Sequence, residues 1–265
     1  MNNGNCGVLV GSTDEYVDLW DPFLFYWRRY WPDCAYPLFL ASNSGAKDVA
    51  GAEVITTEMG VSWGKHLRLA IERVDLEIVL LMMPDYFLEA KVDSARISEC
   101  VALITGGRTG YVRLAPDPTP RRSSVCRYGG SEFVLLGRRE GYSTSLAASL
   151  WRSSVLQELL RDDDSPWRFE RQGPGRRCGG YEHYTVRERQ LVYSPTGALI
   201  RGRWTRAAVK RLVSDRAPVE FTGRPTMSRG AWLIQVAKAT VFNATYPIVG
   251  RAVEVLRNLQ VGHGR

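Results

Sequence analysis

Long apolar runs are missing from this 265-residue chain. No stretch approaches the roughly 18 to 20 residues that a membrane-spanning helix needs. The opening MNNGNCG has neither the basic nor the apolar region of a secretory leader. A cytoplasmic protein is therefore expected. Cysteine is sparse: Cys6, Cys34, Cys100, Cys126 and Cys178 are odd in number, far apart, and lack the paired spacings of a zinc site or redox motif. Packed free thiols are expected. No G-x-G-x-x-G follows the first apolar run and there is no G-x-x-x-x-G-K-[ST], which argues against dinucleotide oxidoreductases and P-loop NTPases. GYSTS (141–145) is not the G-x-S-x-G elbow of a hydrolase. With only three histidines, His66 is expected to be a surface or hydrogen-bonded side chain, and His183, in YEHY, fits a polar aromatic groove.

What is present is a globular composition, 45% hydrophobic and 24% charged, enough for one substantial core. A single domain over 1–265 is expected. The charge divides it: residues 1–110 carry 9 basic and 15 acidic side chains, residues 111–265 carry 26 and 13. The excess in the second half is almost entirely arginine, the side chain suited to planar, bidentate recognition of phosphate. A GC-rich coding bias would exchange Lys for Arg, but would not by itself leave the carboxylates behind in one half only.

Along the chain, Gly7–Val10 reads as a buried strand ending in the turn GSTDE, and Asp18–Tyr30 as an aromatic-rich helix stopped by YWPDC. Leu38–Leu40 and Val54–Ile55 read as short strands, and Ser62 can cap a helix through Ile71. Ile78–Met83 is a clear buried strand broken by Pro84 and Asp85. Val92–Thr105 reads as a helix, and Tyr111–Leu114 and Phe133–Leu136 as strands around a loop rich in Arg, Ser and Gly. Leu146–Leu160 has helical periodicity, while RDDDSPWRFERQGPGRRCGG (161–180) is too rich in Gly, Pro and charge to promise regular structure. Thr205–Val213 and part of Ala231–Leu259 read as helices. Strands alternating with helices predict an α/β fold with a mostly parallel sheet flanked by helices, and a ligand site at the carboxyl ends of the strands.

Seven stretches share their order and spacing with one family: VLVGSTDEYVDLWDPF (Val8–Phe23), YWPDCAYPLFL (Tyr30–Leu40), SWGKHLRLAIE (Ser62–Glu72), VLLMMPDYFLEAKVD (Val79–Asp93), YSTSLAASLWR (Tyr142–Arg152), SPWRFE (Ser165–Glu170) and IRGRWT (Ile200–Thr205). Up to about Val213 the chain resembles a family of bacterial and phage glycosyltransferases with a GT-A-like fold. For a phage protein the site of action would be the host cytoplasm. The resemblance implies a nucleotide-sugar donor over residues 1–110 and a basic acceptor half over 111–265.

By that analogy Ser12, Thr13 and Asp14 lie beside base and ribose, with Tyr16 and Trp63 in the donor set, and Asp85 takes the place of the acidic motif after the central strand. The family commonly has two adjacent acids there, and this chain has Pro84 then Asp85. One carboxylate with substrate phosphate can still hold Mn²⁺ or Mg²⁺, making Asp85 the expected metal ligand. Without a metal, Lys65, Arg68, Arg201 and Arg203 would meet the leaving-group charge, and Asp85 could equally be a turn residue. Glu170 is the candidate base and Trp167 a stacking platform. Alternatively, Trp167 and Phe169 anchor the loop and Glu170 pairs with an arginine, leaving Asp162, Asp163 and Asp164 as substitutes.

Tyr142, Ser145, Trp167, Arg176, Arg177 and His183 form the expected acceptor side. Arginines 121, 122, 127, 138, 139, 176, 177, 187 and 189, interleaved with Tyr128, Tyr142, Tyr181 and Tyr184, suit a polyanion. A hydroxylated base in DNA is the favoured acceptor. A surface polysaccharide or lipid-linked glycan, or a non-catalytic nucleic-acid-binding protein on this fold, are the alternatives.

Overall fold

The computed structural model describes residues 5–241 apart from 46, 119–123, 139, 178, 195–196 and 239. Arg121, Arg122, Arg139, Cys178 and the stretch 242–259 lie outside the described residues. In chain order the elements are β1 (Cys6–Val10), a 3-10 helix (Asp14–Leu19), α1 (Trp20–Tyr30), β2 (Leu38–Ser42), β3 (Glu53–Thr56), α2 (Trp63–Val74), β4 (Ile78–Met82), α3 (Ser94–Thr105) and β5 (Thr109–Arg113). Then come β6 (Val125–Tyr128), β7 (Ser131–Leu135), β8 (Ser149–Arg152), α4 (Ser153–Leu159), α5 (Pro166–Arg176), β9 (Glu182–Val186), β10 (Leu199–Ile200), β11 (Arg203–Trp204) and α6 (Arg206–Ser214). Residues 229–238 and 240–241 are helical (α7).

Nine strands form one sheet in the order β3-β2-β1-β4-β8-β5-β9-β7-β6. All but β7 and β8 run in one direction. The expected α/β class with a mostly parallel, helix-flanked sheet is the one observed. β1 is paired on both sides, Val8 opposite Leu38 and Leu80, and every residue of β1, β2 and β4 is buried, hence their continuous apolar sequence. Alternate residues feed two cores. Val8, Val10, Leu40, Leu80 and Met82 join the aromatic face of α1 and the inner face of α3. Leu9, Phe39, Ala41, Val79 and Leu81 join α2, α4 and Phe169 of α5.

Caps set several helix starts. Asp93 accepts from the Ala95 and Arg96 amides, Ser165 from Arg168, and Thr205 from Ala208. Ser62 stands at the N-cap of α2 but turns its hydroxyl to the Asp162 carbonyl.

Two expectations are corrected. Leu146–Leu160 is not one helix: Ser149–Arg152 is the antiparallel strand β8, wedged between β4 and β5, and the helix begins only at Ser153. Pairing on both edges and complete burial of Leu150 and Trp151 outweigh the helical spacing. Residues 161–180, expected to be irregular, contain α5, started by the Ser165 cap and Pro166 in its first turn. Gly173 allows this helix to press on the neighbouring loop, since a Cβ there would lie 2.5 Å from Thr144 Oγ1.

Candidate active site

At the carboxyl end of β1 the chain is held from three sides. Trp20 Nε1 donates to Ser12 Oγ (2.8 Å), and Ser12 donates weakly to the Thr13 carbonyl (3.3 Å). His66 Nε2 donates to the Ser12 carbonyl (2.6 Å), which leaves Nδ1 to accept from Thr57 Oγ1. His66 is thus buried and fully bonded, and burial pushes its pKa down. Asp14 accepts from Ser42 Oγ, the Asn43 amide (3.0 Å) and Ser44 Oγ (2.6 Å), tying the β1 exit to the β2 exit. Burial opposes its charge, but these donors hold its pKa below the usual value.

The β4 exit delivers Asp85 and Tyr86. The Asp85 carboxylate accepts from the Leu199 amide, and its pKa is raised to about 6, chiefly by burial. Gly197, with φ +67°, lies directly over it: a Cβ there would sit 2.2 Å from Asp85 Oδ2. The Ala198 amide donates to the Asp85 carbonyl (2.8 Å), so β10 is strapped to the β4 exit. A cavity of about 130 Å³ opens beside Asp85 toward α6, lined by Tyr26, Ser194, Ala198, Thr205 and Arg211 among others.

Glu170, on α5, faces the same region. Its Oε1 accepts from Ser145 Oγ (2.9 Å) and the Leu146 amide (2.8 Å), and Oε2 has no partner among the described residues. Burial raises its pKa, with the two donors and the more distant Arg113 pulling the other way. Tyr111 Oη accepts from the Ser145 amide (3.2 Å) and Tyr193 Oη from the Ala148 amide (3.1 Å), fixing the loop that presents Ser145. Tyr86 packs in a tilted arrangement on Tyr193 at 4.7 Å and lies close to both acids. Its phenol is pushed well above its ordinary pKa by burial, then by Asp85, Tyr193 and Glu170. Arg224 reaches toward the same region, bonded to Asp18 (2.8 and 3.1 Å) and the Glu15 carbonyl, with its guanidinium over the Tyr16 ring at 4.9 Å, and near enough to lower the Asp85 pKa.

The sequence-predicted residues therefore divide. Ser12, Thr13, Asp14, Tyr16, Asp85, Ser145 and Glu170 line the carboxyl ends of β1 and β4 or the loop beside them. Trp63 packs on Phe169 (6.1 Å), Lys65 pairs with Glu58 (2.8 Å), and Arg68 pairs with Asp162 (2.8 Å). Arg201 and Arg203 are exposed on the β10–β11 hairpin, whose turn has φ +51° at Arg201 and +70° at Gly202. Trp167 is 73% exposed on α5, three residues before Glu170. The Tyr142 carbonyl accepts from Arg113 (3.4 Å).

His183 is not in a groove. It lies on β9, enclosed by Tyr111 and Trp151, with Nδ1 bonded to the Ser143 carbonyl (2.7 Å) and its pKa lowered to about 3 by burial and Arg177. Arg176 is held by both oxygens of the buried Asp164. Arg177 donates to the Gly137 carbonyl (2.9 Å), and burial lowers its pKa to about 10. As placed, the buried His183 offers no surface to an acceptor, the partly buried Arg176 guanidinium is taken up by Asp164, and Asp164 is a structural partner, not a free base. Arg224, Tyr193 and Arg113 had no local signal in the sequence. Arg224 lies beyond the point where the family resemblance fades, and the other two are brought in only by the sheet.

Among the described residues, no group of three His, Cys, Asp or Glu side chains gathers. Asp85 is the single carboxylate at the β4 exit, already bonded to Leu199 and covered by Gly197.

No family model matches the sequence, and no curated protein matches it. Among solved structures it is similar to S. aureus TarS 1-349, at 10% identity over 72% of this chain and 61% of that chain, with a TM-score of 0.45. It is also similar to S. aureus TarS 1-349 in complex with UDP-GlcNAc (10%, 71% and 57%, TM-score 0.42). A third likeness is to 2-C-methyl-D-erythritol 4-phosphate cytidylyltransferase from Thermus thermophilus (13%, 88% and 98%, TM-score 0.36). The chain spans about three fifths of the length of the TarS 1-349 structure.

Proposed function

We propose that the chain is a glycosyltransferase acting on a nucleoside-diphosphate sugar, with Glu170 as the base. One observation carries the reading: Asp85 and Glu170 both lie close to Tyr86 at the carboxyl end of the sheet, and Glu170 is fixed through Oε1 by Ser145 Oγ and the Leu146 amide while Oε2 makes no bond among the described residues. Glu170 Oε2 takes the proton of the acceptor hydroxyl as its oxygen bonds to the anomeric carbon. The bond from that carbon to the diphosphate breaks, and the diphosphate leaves with the electron pair. A base held by two donors at Oε1 keeps its orientation, and a pKa above the ordinary glutamate value makes it a stronger acceptor at neutral pH.

The departing charge is met by Arg224 and the Thr13, Asp14 and Glu15 amides of the GSTDEY loop, and the reaction proceeds without a divalent cation. Trp167, one helical turn from Glu170, offers the acceptor a stacking face. A panel of UDP-, GDP- and dTDP-sugars, assayed for hydrolysis with Mn²⁺ and with chelator, tests both parts. Hydrolysis that survives chelation is expected. Strict dependence on Mn²⁺ would instead make Asp85 a metal ligand, and inertness toward every donor would leave no enzyme.

For the acceptor, we propose a hydroxyl carried by a polyanionic partner. The arginines that favoured DNA are largely committed within the chain: Arg127 and Arg187 face Glu132, Arg189 faces Asp117, Arg176 faces Asp164, and Arg138 bonds to the Arg177 carbonyl. A shift assay with plain and hydroxymethylated duplex at two salt concentrations tests DNA directly, since phosphate contacts make affinity fall steeply with salt.

A further inference from the structure

The uncommitted positive charge lies elsewhere. Residues 201–241 carry nine Arg and Lys against two acids, Asp215 and Glu220. Arg211 pairs with Glu89 and Asp215, and Arg224 with Asp18. Arg201, Arg203, Arg206, Lys210, Arg216, Arg229 and Lys238 form no ion pair among the described residues. In the same segment apolar side chains face solvent: Leu233 is 66% exposed, Ile234 57% and Val213 61%.

The two features share faces. On α7, capped by Ser228 through the Ala231 amide (3.3 Å), Gly230, Leu233, Ile234 and Ala237 fall at helical spacings of i, i+3, i+4 and i+7. At 100° per residue Arg229 and Lys238 flank that arc on its two sides. On α6, Arg206, Lys210 and Val213 repeat the pattern of basic and apolar residues on one exposed face. The Trp204 amide donates to the Pro225 carbonyl (3.0 Å) and the Met227 amide to the Trp204 carbonyl (2.9 Å). These bonds hold the start of α7 beside the hairpin that carries Arg201 and Arg203. Arg224, four residues before the cap, pairs with Asp18 and lies close enough to act on Asp85, so the segment that leads into α7 adjoins the candidate site.

We infer that α7 and the basic face of α6 dock on an anionic lipid surface, where an acceptor held in the membrane is presented to the cleft. An apolar arc edged by Arg and Lys matches the layering of acyl chains below anionic headgroups. A second copy of the chain would bring two strongly positive faces together. Nucleic acid would use the charge and leave Leu233 and Ile234 in water. Docking itself stands apart from the transferase reading, whereas the acceptor assignment rests on it.

The test uses the full chain in a vesicle-sedimentation assay, with phosphatidylcholine alone or with about a third phosphatidylglycerol. Binding is expected only to the anionic vesicles, about tenfold weaker when salt rises from about 0.1 to about 0.5 M. The double variant Leu233→Asp, Ile234→Asp should abolish it, as should Arg206→Glu with Lys210→Glu. Both variants should keep the thermal melt and the donor hydrolysis of the parent, which separates failure to dock from failure of the enzyme. Four results would overturn the inference: no binding to anionic vesicles, binding that ignores both variants, a dimer in light scattering that the first variant dissociates, or binding of that face to duplex DNA in place of vesicles.

Discussion

Asp85 has its ordinary carboxylate pKa of 3.8 raised to about 6 by burial, a difference corresponding to ~3 kcal/mol. A raised pKa favours the protonated folded state. The stability tied to this group is complete below about 3.8 and is lost as pH rises through about 6. Asp85→Asn should therefore stabilise the protein at pH 7 by up to ~3 kcal/mol in urea denaturation and leave stability near pH 4 unchanged. A variant that is less stable at pH 7 would mean that the carboxylate is stabilised there. His183 works in the opposite sense: held neutral by burial, with its pKa near 3, it supports stability above its ordinary value of 6.5, and that support is lost as pH falls below it. Glu170→Gln should lower transfer by about 10² to 10⁴ while leaving nucleotide binding intact. In the parent, the acid limb of the rate profile should lie above the ordinary glutamate range, because the Glu170 pKa is raised. Gly197→Ala, strained at φ +67° and driven into Asp85 Oδ2, should reduce activity and stability together, measured by turnover and melting.

At the level of elements, α5 is what brings Glu170 to the cleft, and its first turn hangs on the α4–α5 connection. There Asp164, fully buried, accepts from both Arg176 and the Arg161 amide. Removing it by Asp164→Ala should cost about 3 to 5 kcal/mol in denaturant unfolding, since Arg176 would be left partly buried without a counter-charge. A loss below about 1 kcal/mol would show the pair to be solvated. These two elements also mark where sequence patterns stop being legible. The strands β1, β2 and β4 read directly from their apolar runs, because each is buried on both faces. β8 did not, because Leu146, Leu150 and Leu156–Leu160 fall at helical spacing and only its two partner strands make Ser149–Arg152 extended. α5 was hidden by Gly173, Pro174 and Gly175, residues that weaken a helix locally, although Gly173 here permits close packing on Thr144. Glu170 and Asp85 could be named from their motifs. Tyr193 and Arg224 could not, since their places follow from strand order and from a long return of the chain.

Over the whole molecule, the described arginines of the second half include two contrasting populations. One is internal, pinning loops to carbonyls and acids, as Arg113, Arg152 and Arg176 do. The other is the unpaired set on residues 201–238, beside the exposed apolar side chains of α7. No described helix is long and apolar enough to cross a membrane. The central claim is that the cleft between the GSTDEY loop, Asp85 and Glu170 holds a nucleoside diphosphate against Arg224. Calorimetric titration of the purified protein with UDP, GDP, dTDP and CDP tests it most directly. At least one should bind with Kd of about 10 to 100 μM, a typical range for a nucleotide-sized ligand. Arg224→Ala should weaken that binding about tenfold or more, and Glu170→Gln should not change it. If none of the four binds below about 1 mM, or if Arg224→Ala binds as the parent does, the account is contradicted.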